Sequence, residues 1–242
     1  MNVWRGAWYL AKHELVRARW KHLIIFVIIG YMLMFMIPWF SSALKGEANG
    51  VEYWAIDFIT VTILPVFGFS ATQYYTRTWS GDIYTRRLAY WRTLPISIAT
   101  IVRGRVLMLL LNGMAGYIVF FVLYYVGLKS LNSSVDVLHF LMHAVVLTCV
   151  SVIFSMFYVY LELGFSSKAY FVLMFVIMFL ILFLILLASF VTGNSLVLKS
   201  YELIVEGKGW YVTIISLLLA ALAVFTGIRL IEGKLEKRNF YS

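Results

Sequence analysis

Charge is absent from six long stretches of this chain: Leu23 to Leu44, Phe58 to Thr76, Val106 to Leu128, Val137 to Leu161, Ala169 to Leu198 and Gly209 to Ile228. Each reaches or exceeds the roughly 17 to 25 residues that a helix needs to cross the hydrocarbon of a bilayer. The pattern predicts an all-α, polytopic membrane protein with six transmembrane helices, at about 23–43, 56–76, 106–127, 138–161, 169–191 and 210–229. No connection is long enough for an independent soluble domain, so 1–242 reads as one transmembrane domain.

The segments between the spans carry their own periodicity. Residues 2–21 are expected to form an amphipathic helix, with Val3, Trp4, Ala7, Trp8, Leu10, Ala11 and Leu15 on one side and Arg5, Lys12, His13, Arg17 and Arg19 on the other. A helix of this kind lies flat on a leaflet, with its basic residues towards lipid phosphates. In the second gap, Tyr84, Leu88 and Trp91 recur at i, i+4 and i+7, which predicts a short helix from about Asp82 to Arg92. Pro95 ends it, and a second helix starts near Ser97 and runs into the third span. Pro65 should kink the second span, and a short external helix is expected within 191–208.

Composition narrows the class. Of the 242 residues, 63% are hydrophobic and 13% charged, where soluble domains carry roughly 25%; mean hydropathy is +0.90. Lys and Arg number 16 in the two termini and the second and fourth gaps, against 4 in the other gaps. Cationic loops resist translocation, so both termini are expected in the cytoplasm, in the plasma membrane of the cell. The net charge of +9 then follows from topology and calls for no nucleic acid. The eight Trp fall at span ends or in flanking segments, as headgroup-seeking indoles do. The single cysteine, Cys149, excludes a disulfide framework within one chain.

Motifs for catalysis are sparse. No G-x-x-x-x-G-K-[ST] phosphate loop exists, so the chain is not expected to hydrolyse ATP. His139 and His143 stand at i, i+4 without a third ligand, and read as interfacial histidines near the outer surface; no metal is expected. The strings GFSA and GFSS lack a histidine at their own depth, which disfavours an intramembrane serine hydrolase. Asp57 borders a span and reads as an outer-interface carboxylate, and Glu162 and Lys168 read as a solvated cytoplasmic turn.

The sequence D-I-Y-T-R-R-L-A-Y-W-R-T-L-P-I-S-I-A-T-I-V-R-G-R, from Asp82 to Arg105, resembles the second-gap segment of the membrane-spanning permease subunit of ABC-2 type (type V) ABC exporters. The turn at Leu161 to Gly164 and the basic tail EGKLEKR support the likeness, which covers nearly the whole chain. The resemblance implies a coupling helix that docks on an ATPase subunit, with Tyr84, Leu88 and Trp91 as apolar anchors and Asp82, Arg86, Arg87 and Arg92 as polar contacts. It implies two ABC ATPase subunits binding ATP and magnesium, a second permease copy or paralogue, and no cofactor or catalytic residue in this chain. It also implies that the second and fifth spans meet across a dimer axis, nominating Thr60, Thr62, Phe67, Phe69, Met174, Phe175, Met178 and Phe179 for a substrate pathway. Glu162 departs from the basic residue common before that glycine, which puts a second ATPase contact in doubt.

The expected function is outward movement of an amphipathic or hydrophobic substrate (a drug, peptide toxin or lipid) by alternating access. Gradient-driven carriers rely on membrane-embedded ionisable groups or broken inverted repeats, which the sequence lacks. A non-transporting immunity or scaffold protein is the alternative, told apart by the fact that it would need no ATPase-docking helix. An intramembrane hydrolase is the third reading.

Overall fold

The structure is a computed structural model, which describes residues 3–17, 23–69, 90–91 and 96–237. Among them no strand occurs, and six helices are long and apolar enough to cross a membrane. In chain order the helices are α1 (Val3–Arg17), α2 (Leu23–Leu44), α3 (Gly50–Ile63) continued by a 3-10 turn (Leu64–Gly68), α4 (Ile98–Ser130), α5 (Val137–Gly164), α6 (Ser167–Thr192), α7 (Leu196–Leu203) with a π turn (Ile204–Lys208), and α8 (Gly209–Glu236).

Local chemistry sets most of the boundaries. Asn49, Ser97, Asp136, Ser166 and Ser195 cap the starts of α3 to α7, each side chain accepting from backbone N–H groups that a first turn leaves unpaired. Gly193, at φ 64°, ends α6 in the left-handed conformation that glycine adopts without strain. Pro65 does not merely bend the second span. The α-helix stops at Ile63, and Leu64–Gly68 continues as a tighter 3-10 turn. The Pro65 carbonyl accepts from Ser155 Oγ on α5 at 3.0 Å.

Packing follows small residues. Ala7 and Ala11 of α1 are buried, and Gly104 of α4 lies beneath them: a Cβ there would sit 3.2 Å from the Ala7 carbonyl oxygen. The amphipathic helix therefore runs against the first turns of α4, while Trp4, Trp8 and Tyr9 point outward. Gly116 leaves room for Phe67, whose Cβ would stand 3.0 Å from a Cβ at 116. The main core gathers Met32, Met36, Phe40, Ile56, Phe67, Phe120 and Tyr124, and a second cluster holds Trp91, Val102, Val106, Val159, Leu163 and Ile231. Helix α8 lies along α5 by one face, and α6 is the least enclosed of the long helices, with only Ser167 and Ile185 buried. Outward faces such as Val27 and Met34 of α2 stay apolar, which suits lipid tails as apolar as Leu itself.

Candidate functional site

Three places in the bundle concentrate chemistry. The first is an ionic clamp between the start of α4 and the end of α5. The Arg105 Nη2 and Nε donate to Glu162 Oε2 at 2.7 and 3.2 Å, and the two side chains are only 5% and 4% exposed. The guanidinium also lies 3.7 Å from Met108 Sδ through Nη1 and 5.5 Å from the Phe69 ring. Glu162 is thus not a solvated turn residue. Its partner stands 57 positions earlier in the chain, out of reach of any local reading. Outside the clamp, Arg103 meets Glu232 at 3.5 Å and Lys234 lies over Phe165 at 5.1 Å, which joins α4, α5 and α8 at one end.

Trp91, expected to anchor an ATPase-docking helix, belongs to this end of the molecule. Its ring is 9% exposed and packs within the cluster that includes Ile101, Val102 and Leu163, so it anchors the chain to itself. Asp82, Tyr84, Arg86, Arg87, Leu88 and Arg92 lie outside the described residues.

The second place is a polar junction between α3, α5 and α7. Helix α3 begins at Gly50, earlier than the expected span, so Asp57 lies seven residues inside it and is buried among protein groups. Its carboxylate accepts from Ser195 Oγ at 2.6 Å, Leu196 N at 2.7 Å and Val197 N at 2.9 Å, and so holds the N-terminus of α7. Beside it, His143 is fully buried between the rings of Phe40 and Tyr201, with centroids 5.8 and 5.4 Å away, and Nδ1 lies 3.3 Å from Ser200 Oγ. Only His139 of the pair is near solvent, 3.7 Å from Asp136 at the start of α5. Among the described residues no cluster of His, Cys, Asp or Glu could hold a metal ion.

The third is an apolar groove of about 1010 Å³ between α4, α5 and α8. Met114, Ile118 and Val122 form one wall, Leu141 and Val145 a second, and Leu217 and Phe225 a third, with Trp4 at one end and Cys149 among the lining residues. Small residues create it: Ala144, Ala220 and Ala221 stand where larger side chains would fill the gap. That alanine spacing is the signal the sequence carries, and hydropathy passes over it because it weighs apolarity and not size.

The residues nominated for a pathway separate into two groups. Thr60 is buried, with Oγ1 3.8 Å from Met36 Sδ, and Thr62 donates to the Phe58 carbonyl at 2.6 Å. Phe67 is enclosed by Tyr117 and Phe120, and Phe69 lies 6.3 Å from Tyr158, ring to ring. Met174 is half-buried on α6, whereas Phe175, Met178 and Phe179 are exposed there. Helices α3 and α6 pack together within the one chain, and none of the eight side chains lines the groove between α4, α5 and α8.

The class that fold and site define is a multi-pass, all-helical membrane protein with a capped, gap-bearing bundle. No protein-family model, curated protein or solved structure matches the chain.

Proposed function

We propose that this chain is the permease subunit of an ATP-driven exporter of the ABC-2 type, which moves an amphipathic or hydrophobic substrate outward. One observation carries the reading: α4 is continuous for 33 residues from the Ser97 cap. At about 1.5 Å per residue it is about 50 Å long, against a hydrocarbon core of about 30 Å. Its start is tied to α1 by Gly104, to α5 by the Arg105–Glu162 clamp and to the segment before it by Trp91. A push delivered at Trp91 would therefore reach the bundle along α4, a stiff rod. This is the connection that a subunit without its own energy source needs.

In this reading both termini are cytoplasmic, two ATPase subunits bind ATP and magnesium, and a second permease completes the pathway. Leu88 and Arg87 face the ATPase, while Trp91 holds the docking segment to α4. The test is photocrosslinking. A crosslinker placed at Leu88 in the tagged full chain, in native membranes, should capture an ABC ATPase, and Arg87→Glu should lower the capture several-fold. Capture of no ATPase, with the chain intact in the membrane, removes the reading.

A further inference from the structure

The groove between α4, α5 and α8 has the chemistry of a lipid site. Its lining is apolar, and the Thr148 hydroxyl in it is already spent, donating to the Ala144 carbonyl at 2.8 Å. A sugar or a peptide backbone would leave its polar groups without partners there, which costs free energy. Acyl chains would lose nothing.

Size and access agree. From Met114 to Val126 the α4 wall runs about 18 Å at roughly 1.5 Å per residue, close to the depth of one leaflet, about half of a core of about 30 Å. Ile118, Val122, Val126 and Leu141 are each more than half exposed, so the groove opens along its side and can be entered from the bilayer.

Charge differs between the two ends. At the Trp4 end, the Arg229 guanidinium lies 4.2 Å over Phe225, which lines the groove, and Arg103 lies 5.3 Å over Trp4. Glu232 offsets Arg103 at 3.5 Å, but among the described residues no acid pairs with Arg229. At the other end the stretch from Lys129 to Asp136 sums to a net charge of zero, with Lys129 5.7 Å over Tyr125 and Asp136 3.7 Å from His139. Aromatic rings with an unmatched cation at one end match a phosphate in the headgroup layer.

We propose that this groove binds one anionic phospholipid, with its acyl chains against α4, α5 and α8 and its phosphate at Arg229 and Arg103. The site does not depend on the transport reading, since a lipid held there serves an exporter or a scaffold equally.

The test is native mass spectrometry of the full chain in mixed micelles with equal phosphatidylglycerol and phosphatidylcholine. One lipid should remain per chain, with phosphatidylglycerol favoured about five-fold. Arg229→Gln should bring that ratio near one without loss of occupancy. Ala221→Trp fills the groove and should abolish retention, whereas Val176→Trp on the exposed face of α6 should not. Should Ala221→Trp fail to fold, phosphatidylglycerol with a photoreactive acyl chain decides on the wild type. Adducts at Ile118, Val122, Leu141 or Leu217 support the site. Adducts confined to α6, no retained lipid, or a dimer crosslinked through Val122 would overturn it.

Discussion

Replacing Glu162 with Ala leaves the Arg105 guanidinium buried with no carboxylate. Both groups are almost wholly removed from solvent, and the pair makes two hydrogen bonds to one oxygen. Removing one member of such a pair costs about 3 to 5 kcal/mol, because the remaining charge keeps its desolvation penalty without compensation. Replacing both by apolar residues of similar volume, Arg105→Met with Glu162→Leu, removes the penalty along with the attraction and should fall within about 1 kcal/mol of the parent chain. For a chain of this size each kcal/mol moves the apparent Tm by roughly 2 to 4 °C. The single variants Arg105→Met and Glu162→Leu should therefore each lose roughly 6 to 20 °C, and the double variant should recover most of it. The assay is Trp fluorescence during heating in detergent, with all four proteins at one scan rate. The reasoning fails if the two single losses simply add in the double variant, since additivity means the side chains are not coupled.

Other expectations follow from the same geometry. Asp57→Ala strands Ser195 Oγ and two N–H groups, and should cost about 3 kcal/mol while raising amide exchange at Leu196 and Val197; unchanged exchange there would refute the cap. Gly116→Leu drives into Phe67 and should cost about 1 to 3 kcal/mol, with relief on adding Phe67→Ala; equal stability of single and double variants would count against that contact. Asp136 accepts from the backbone N–H groups of His139 and Leu138, and the His139 bond chiefly holds its carboxyl below the usual carboxylate range. That contribution is complete above about pH 4 and fades as pH falls through the lowered value. Exchange at Leu138 and His139 should accelerate on acidification in the parent chain and stay flat in Asp136→Ala. In a Cys149→Ser background, cysteines at Glu47, Ser130 and Glu206 should react with an impermeant thiol reagent from outside the cell, and one at Lys12 should not. The reverse pattern would invert the topology.

The spans were legible because hydropathy is a local property. Leu23–Leu44 and Ser167–Thr192 are apolar all round, and their limits could be read within a residue or two from the charges and caps beside them. The start of α4 could be read too, since Pro95 disfavours helical geometry at the residue before it and Ser97 supplies an N-cap. The polar partnerships were hidden for the opposite reason. Asp57 looked like an interface residue because its partners stand about 140 positions away at Ser195 to Val197. For the same reason the start of α3 was placed about six residues late: a carboxylate that would end a span is tolerated once three donors meet it. His143 differs from His139 only in the neighbours that enclose it, Phe40 and Tyr201, both remote in sequence. Phe67 and Phe69 carry the same side chain two positions apart, but the notch at Gly116 and the rings of Tyr117 and Phe120 enclose the first, while the second follows the end of the turn.

The Asp57 cap has a consequence for biosynthesis. When α3 leaves the ribosome the donors that satisfy its carboxylate do not yet exist, and about 140 further residues must be made before Ser195 appears. At about 5 to 20 residues per second that wait lasts roughly 7 to 28 seconds. Through it, a nascent span bearing a carboxylate near its middle must stay in the insertion machinery, remain protonated or sit at the water boundary, because bare insertion costs about 3 kcal/mol. Helices α2 and α6 carry no such debt and can partition into lipid as they emerge. The second span therefore settles out of sequence order, after α7 arrives, and a chain that stops short of Ser195 leaves it as the segment most exposed to quality-control proteolysis.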